Sequence, residues 1–305
     1  MFHTILVPLD STAFSEQALP TAMAIARRTG ARVRLAHVHT MMTRAEAVLE
    51  IDSDGARFGR ERETLERLAG EMTAGGVPTD SSVLDGPAAQ TLSDHAAAIG
   101  AGLVVMTTHG HGPIARALLG SVSEELVRHL KIPTLLVRPA ELDGVAPRPS
   151  TARHLLVALD GSSTAEAMLL TAAELGEAMG AKLTLLRVVE PVVTFHLYPP
   201  EGVTYPDSDQ EATEQFRRLS HDYLERLAEP LRRRGLAVAT RVAVHPTPTE
   251  AILEEARDHG CDLIALESRG RTGLSRLLLG SVADAVTRGG ATPVLTHTAA
   301  PAGVP

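Results

Sequence analysis

The chain has 305 residues, a formal net charge of −8 at pH 7, 44% hydrophobic residues and only 3% aromatic residues. This length suits two domains of about 150 residues each. The negative charge and the few aromatic side chains disfavour nucleic acid as a partner, and the longest apolar or small run, Ala96 to Met106, is too short to span a membrane.

The first half alternates short apolar runs with helical patterns. It opens with MFHTILVPLD, which enters a strand-like run without a basic leader, so we expect a cytoplasmic protein. Such alternation predicts a parallel sheet with helices on both faces. The predicted strands lie near 4–9, 33–38, 80–84, 103–107 and 134–138, and the predicted helices cover 13–29, 57–75, 87–99 and 121–129.

The second half repeats the first. Asp10 realigns with Asp160, and the Gly-Ser-Val at 120–122 realigns with the one at 280–282. Its strands are predicted near 154–159, 182–189, 237–244, 263–267 and 293–297, with an insertion around 191–209 and a linker at 141–153. We therefore predict two domains, 1–142 and 152–300, each an α/β, doubly wound (Rossmann-like) fold with a five-stranded parallel sheet and helices on both faces.

The ligand crevice of a doubly wound sheet lies at the carboxyl ends of the strands that flank the topological switch, here the first and fourth strands. Asp10 or Asp160 closes the first strand, and a glycine-rich stretch follows the fourth, THGHGPIARALLGSV in one copy and SRGRTGLSRLLLGSV in the other. Glycines leave main-chain N–H groups accessible, and a helix N-terminus adds donors and a positive dipole end. The pattern therefore indicates a phosphate site in each copy.

Two other interpretations concern the same stretch. Ser121 with Glu124, and Ser281 with Asp284, also fit a helix capping box, which is compatible with phosphate binding. A Walker P-loop is excluded, because the chain has only two lysines and neither follows such a glycine pattern.

These residues resemble the universal stress protein family in its tandem two-domain form, over nearly the whole chain. Nucleotide-binding members carry a glycine, two residues, a second glycine, nine residues, and then Gly followed by Ser or Thr. Gly110 and Gly120 fit the latter spacing in the first copy, as Gly270 and Gly280 do in the second, each before a serine. The leading glycine is replaced by Thr107 and by Glu267, and a glutamate there would repel a polyphosphate.

The resemblance implies that ATP, with or without Mg²⁺, is bound by main-chain donors without a P-loop lysine. It also implies that Asp10 and Asp160 accept hydrogen bonds from ribose hydroxyls. Capping of the following helix by Asp10 is the alternative. The residues expected to bind the nucleotide are Pro8, Asp10, Val38, Met106, Thr107, Gly110, Gly120, Ser121, Val122, Ala158, Asp160, Val188, Leu266, Gly270, Gly280, Ser281 and Val282.

Three further groups of residues invite a functional interpretation. His37, His39, His109 and His111 could converge on a metal, but the second copy lacks them, and we predict no protein metal site. Arg116 and Arg276 could reach phosphate, although a solvated loop position is the simpler interpretation. We interpret Cys261, the single cysteine, as a packing residue.

Our functional prediction is an ATP-binding regulatory protein of the stress-response type, with adenine nucleotide and protein partners and at most slow ATP hydrolysis. An adenylating enzyme and a nucleotide-free interaction module are the alternatives. The final strands, TLLVRP and PVLTHT, are predicted to pair the two copies as a pseudo-dimer, because exposed apolar edges invite pairing. Dimerisation of whole chains stays open.

Overall fold

A computed structural model describes residues 2–40, 54–108, 121–138, 151–193, 208–268 and 280–297. The first half contains β1 (Thr4–Leu9), α1 (Ala13–Glu16), α2 (Leu19–Thr29), β2 (Arg32–His39), α3 (Asp54–Ala74), β3 (Thr79–Asp85), α4 (Ala88–Ala98), β4 (Leu103–Thr107), α5 (Ser121–His129) and β5 (Thr134–Val137). The second half contains β6 (His154–Ala158), α6 (Ser163–Met179), β7 (Lys182–Val189), α7 (Ser208–Arg233), β8 (Ala237–Val244), α8 (Pro248–Asp258), β9 (Leu263–Ala265), α9 (Ser281–Gly289) and β10 (Val294–Thr296).

The strands form one ten-stranded sheet in the order β3-β2-β1-β4-β5-β10-β9-β6-β7-β8. All pairings within each half are parallel, which confirms the predicted α/β fold class. The halves meet through β5 and β10, which pair antiparallel with Leu135 opposite Leu295, as expected for the final strands. Because the strand direction reverses at this junction, the carboxyl ends of the two halves lie at opposite edges of the sheet.

Two apolar clusters cover the two faces of the sheet. Helices α2, α3, α6 and α7 pack on one face, and α4, α5, α8 and α9 pack on the other. Each cluster contains residues of both halves, so the core continues across the β5–β10 junction. In the described part of the chain, no helix combines the length and the apolar character that a membrane span requires.

The single helix predicted over 13–29 is wrong, because α1 ends at Glu16 and α2 begins at Leu19. Pro20 explains the break: it has no N–H to donate, and inside a helix its ring would collide with the carbonyl of Glu16, four residues earlier. The matching segment of the second half has no proline, and α6 runs unbroken from Ser163 to Met179.

Arg138 fastens the two halves together beyond the strand pairing. Its Nη1 donates to the carbonyl oxygens of Arg288 at 2.5 Å and Gly290 at 3.2 Å, at the C-terminal end of α9. A cation at this end of a helix satisfies carbonyls that lack a partner within the helix, and it interacts favourably with the helix dipole.

We expect Arg138→Ala to lower the free energy of unfolding by about 1–3 kcal/mol, because partly buried carbonyls lose a charged donor. Arg67→Ala is the control, since it removes only an exposed pair with Glu71 and should cost less than about 1 kcal/mol. Urea unfolding monitored by circular dichroism measures both. Equal midpoints for the two variants would show that Arg138 does not fasten the halves.

Candidate functional site

The carboxyl ends of the central strands form two candidate sites. The first mouth comprises the ends of β1, β2 and β4 with the start of α5, that is residues 8–12, 37–39, 106–108 and 121–123. The second mouth comprises the equivalent residues 158–162, 187–189, 266–268 and 280–282. In each half the first strand lies between its second and fourth strands, so both mouths lie at the predicted topological switch.

The turn after β1 holds Asp10 in a defined position. Its Oδ1 accepts hydrogen bonds from the amide of Thr12 at 3.0 Å and from the Thr12 hydroxyl at 2.5 Å. Thr12 in turn caps α1, because its Oγ1 accepts from the amide of Ser15 at 3.2 Å. The N-cap is therefore Thr12 and not Asp10, which removes capping as the explanation for the carboxylate.

The second mouth repeats this turn. Asp160 Oδ1 accepts from the amide of Ser162 at 2.9 Å and from its hydroxyl at 2.6 Å, while Ser162 Oγ caps α6 by accepting from Ala165 at 3.2 Å. Two unlike sequences, DSTAFSE and DGSSTAE, thus build the same arrangement of an acid followed by a cap.

The start of α5 is anchored at the first mouth by Ser123, whose hydroxyl donates to the carbonyl of Thr107 at 3.2 Å. This bond places the first turn of the helix beside the end of β4. Val122, also in that turn, is 40% exposed. The predicted donors Gly110 and Gly120 lie outside the described residues, as do Gly270 and the candidate phosphate contacts Arg116 and Arg276.

The capping box predicted at Ser281 is wrong. The N-cap of α9 is Gly280, no side chain caps this helix, and Ser281 is its first helical residue. Asp284 pairs instead with Arg288, whose Nη2 lies 2.7 Å from Oδ1. The Gly280 amide donates to the carbonyl of Ser268, so this predicted phosphate donor already has a partner in the second mouth.

The predicted apolar lining is partly core and partly surface. Val38, Met106 and Leu266 are buried in the cluster on the α4, α5, α8 and α9 face. Ala158, Val188 and Val282 are partly buried and pack against the same cluster. Pro8, two residues after the buried Leu6, points to this face by strand alternation.

A buried polar cluster, missed in the sequence analysis, lies behind the first mouth. Glu61 of α3 is only 8% exposed and accepts from His39 Nδ1 at 2.6 Å and from Arg57 Nε at 3.1 Å. His37 Nε2 lies 3.4 Å from Glu61 Oε1, the oxygen that also accepts from Arg57, whereas His39 contacts Oε2. Burial acts to raise the pKa of the Glu61 carboxyl, but the hydrogen bond from His39 and the neighbouring positive charges outweigh it and lower that pKa.

A signal for Glu61 was present in the sequence. Glu61 precedes Leu65, Leu68 and Met72 at helical spacing, and all three are buried. A carboxylate at the head of an apolar stripe requires a buried partner, and the histidines of β2 provide it. The partner could not be identified without the packing of α3 on β2.

The second mouth has a different group behind it. Arg187 occupies the position of His37, and its Nη1 donates to the carbonyl of Leu159 at 3.4 Å. Its guanidinium lies 5.7 Å from the centre of the Tyr223 ring. Burial is the main cause that raises the pKa of Tyr223, and the nearby charge of Glu166 adds to it. In the second mouth, the side chain that bonds to the turn before Asp160 is therefore an arginine, whose positive charge is permanent.

Glu267 and Ser268 close the second mouth at the end of β9. The side chains of both are buried, and the single proton of the Ser268 hydroxyl can be donated either to Glu267 Oε1 at 3.3 Å or to the carbonyl of His297 at 3.1 Å. Thr107, the equivalent of Glu267 in the first mouth, is also buried but carries no charge. The two mouths therefore differ by one buried carboxylate at this point.

The histidine group proposed for a metal is only partly described. His37 and His39 share Glu61, while His109 and His111 lie outside the described residues. Among the described side chains, no three His, Cys, Asp or Glu residues are placed to hold a metal ion. Cys261 is buried, as expected for a packing residue, and burial is the main cause that raises the pKa of its thiol to about 11.

Removal of the second cap should weaken the turn that holds Asp160. We expect Ser162→Ala to lower the free energy of unfolding by about 1 kcal/mol, because the Ala165 amide and the Asp160 carboxylate both lose a partner. Ser163→Ala, at the next and exposed position, is the matched control and should be nearly neutral. Chemical denaturation of both variants is the measurement, and equal losses would contradict the capping role.

Comparisons with known proteins agree with this architecture. The family model described as the universal stress protein family matches residues 1–138 and 151–296. A universal stress protein of Mycolicibacterium smegmatis is 30% identical over 302 residues, which cover 96% of each chain. A universal stress protein of Mycobacterium tuberculosis is 35% identical over 194 residues, which span 63% of this chain and only 60% of that relative.

The same fold is found among solved structures. A universal stress protein from Archaeoglobus fulgidus aligns with a TM-score of 0.70 at 20% identity, covering 98% of this chain and 97% of that one. A putative universal stress protein from Pseudomonas aeruginosa aligns with a TM-score of 0.65 at 18% identity, covering 97% and 93%. With two matched domains and one continuous sheet, the chain belongs to the universal stress protein family in its tandem form.

Proposed function

We propose that the chain is an ATP-binding regulatory protein of the stress-response type, and that its first mouth is the principal nucleotide site. The observation that carries the proposal is the convergence of Asp10, the end of β4 and the anchored first turn of α5 at one topological switch. A switch crevice of this kind is where open α/β sheets bind their ligands.

The first mouth offers chemistry for both ends of a nucleotide. The Asp10 carboxylate uses Oδ1 within its own turn, and its Oδ2 makes no hydrogen bond with a described residue, so it can accept from ribose hydroxyls. The N-terminus of α5, with the preceding Gly120, would supply amides and a positive dipole end to the phosphates. Neither interaction requires a lysine.

The second mouth is a poorer polyphosphate site in this proposal. Its Gly280 amide already donates to the carbonyl of Ser268, and the side chain of the preceding residue, Glu267, is buried. A polyphosphate brought near a buried carboxylate is repelled more strongly than it would be in water, because the local dielectric is low. The two mouths are therefore expected to bind ATP with unequal affinity. A cytoplasmic location, and protein partners that sense the bound nucleotide, remain predictions.

Binding of ATP to the purified chain tests the proposal. We expect isothermal titration calorimetry to detect ATP binding, and Asp10→Ala to weaken the tighter site by at least about tenfold, because the ribose loses a charged acceptor. Asp80→Ala is the control, since it removes an exposed carboxylate at the start of β3, away from both mouths.

Thermal unfolding should first show that both aspartate variants are folded. If the wild type binds no ATP at millimolar concentration, the proposal is wrong. If Asp10→Ala and Asp80→Ala bind alike, the ribose role of Asp10 is wrong.

A reciprocal exchange tests why the mouths differ. Glu267→Thr gives the second mouth the residue found at the equivalent position of the first. It should raise ATP affinity at the weaker site by about tenfold, because a buried negative charge is removed. Thr107→Glu should weaken the tighter site by a similar factor. The titrations are repeated with adenosine, which lacks phosphates and should respond much less to either exchange. Equal effects on ATP and adenosine would show that charge repulsion is not the cause.

A further inference from the structure

The ring of His37 links the buried cluster to the turn that carries Asp10. Its Nδ1 lies 2.9 Å from the carbonyl oxygen of Leu9 and 3.5 Å from the hydroxyl of Ser11. Its Nε2 lies 3.4 Å from Glu61 Oε1. One ring thus contacts both the residue before Asp10 and the residue after it.

A neutral imidazole cannot satisfy both sides of this arrangement. It has one N–H, whereas both ring nitrogens face an oxygen: Nδ1 faces the Leu9 carbonyl, and Nε2 faces Glu61, which already accepts from His39 and Arg57. With a second proton, Nδ1 donates to Leu9 and the positively charged ring lies beside Glu61, with Nε2 3.4 Å from Oε1 and without a hydrogen-bond partner among the described residues. Without it, the ring carries either Nδ1–H, which leaves a bare Nε2 beside the Glu61 carboxylate, or Nε2–H, which the carboxylate favours and which leaves Nδ1 able to accept from the Ser11 hydroxyl. Protonation therefore exchanges the partner of Nδ1 from Ser11 to Leu9.

The turn on which this exchange acts is strained. Ser11 has a φ of 63°, a left-handed conformation that residues other than glycine adopt at a cost. Small changes in its hydrogen bonding can consequently shift the turn that positions Asp10.

Among the described residues, the charged groups near the ring come from α3, β2, β3 and the turn after β1. Glu61 and Arg57 face it from α3, His39 follows it on β2, and Asp10 lies in the turn. Asp85, at the end of β3, is the register partner of His39. Because the hydrogen bond from His39 and the neighbouring positive charges lower the pKa of Glu61, its carboxylate is ionised where it faces Nε2 of His37.

In the second mouth, an arginine with a permanent charge takes the place of this histidine. Arg187 donates to the carbonyl of Leu159 as His37 does to that of Leu9, and its charge does not titrate near neutral pH. Gly161 replaces Ser11 at a φ of 82°, and a Cβ there would lie 2.8 Å from Arg187 Nη1. The second mouth therefore lacks both the imidazole ring and the alternative hydroxyl partner.

We infer that protonation of His37 sets the turn that carries Asp10, so that the first mouth binds nucleotide more tightly below neutral pH while the second mouth does not respond. The inference rests on the proposed nucleotide function. The protonated ring holds Leu9 as Arg187 holds Leu159, and it adds a positive charge near a polyanion.

The test is ADP binding measured by calorimetry between pH 6 and pH 8. The Asp160→Ala background reports mainly the first mouth, and the Asp10→Ala background reports the second. In the Asp160→Ala background we expect affinity to fall by at least about threefold as the pH rises, as for one linked proton. His37→Arg, which copies the second mouth, should remove this fall, and protonation of ADP itself cancels because it is common to both proteins.

Ser11→Gly provides a second variant that the backbone conformation tolerates. It removes the partner of the neutral ring, so the loss of affinity should move to higher pH, and affinity at pH 8 should exceed that of the parent. ADP binding with the same pH profile in the parent, His37→Arg and Ser11→Gly overturns the inference and leaves the proposed function intact. Absence of ADP binding at every pH in the wild type overturns both.

Discussion

The antiparallel pairing of β5 with β10 is the constraint on which the rest of this molecule depends. It joins two parallel sheets into one, continues both apolar clusters across the junction, and brings Arg138 to the end of α9. It also reverses the direction of the strands, so the two mouths open at opposite edges of the sheet. A nucleotide in one mouth cannot touch a nucleotide in the other, and any coupling between them must pass through the shared core.

The two mouths share a scaffold but not their side-chain chemistry. Both place an aspartate after the first strand and fix it through the cap of the next helix, with Thr12 in one half and Ser162 in the other. Behind this turn, His37 in the first half is replaced by Arg187 in the second, and Ser220 stands four residues before Leu224 where Glu61 stands before Leu65. The repeated backbone gives both mouths the same turn, and the side chains behind that turn give the two mouths different charges.

Much of the fold could be predicted because parallel strands buried on both faces appear as apolar runs. The internal repeat also helps, because the second half contains the same order of strands and helices as the first. The break between α1 and α2 could also have been predicted, because a proline such as Pro20 interrupts a helix unless it lies in the first turn. The buried cluster was not predictable, since Glu61 and His37 come from separate elements that meet only when α3 packs on β2. The box at Ser281 was misread because whether a serine precedes a helix or begins it depends on backbone angles. Sequence spacing does not determine these angles.

Native mass spectrometry of the full chain titrated with ATP tests most directly whether two unequal mouths bind nucleotide. A chain with one tight mouth and one weakened by Glu267 forms a single adduct over at least about a tenfold range of ATP concentration before the second adduct appears. Two adducts that appear together in statistical proportion would show that the mouths are equivalent. No adduct at all would show that neither mouth is a nucleotide site.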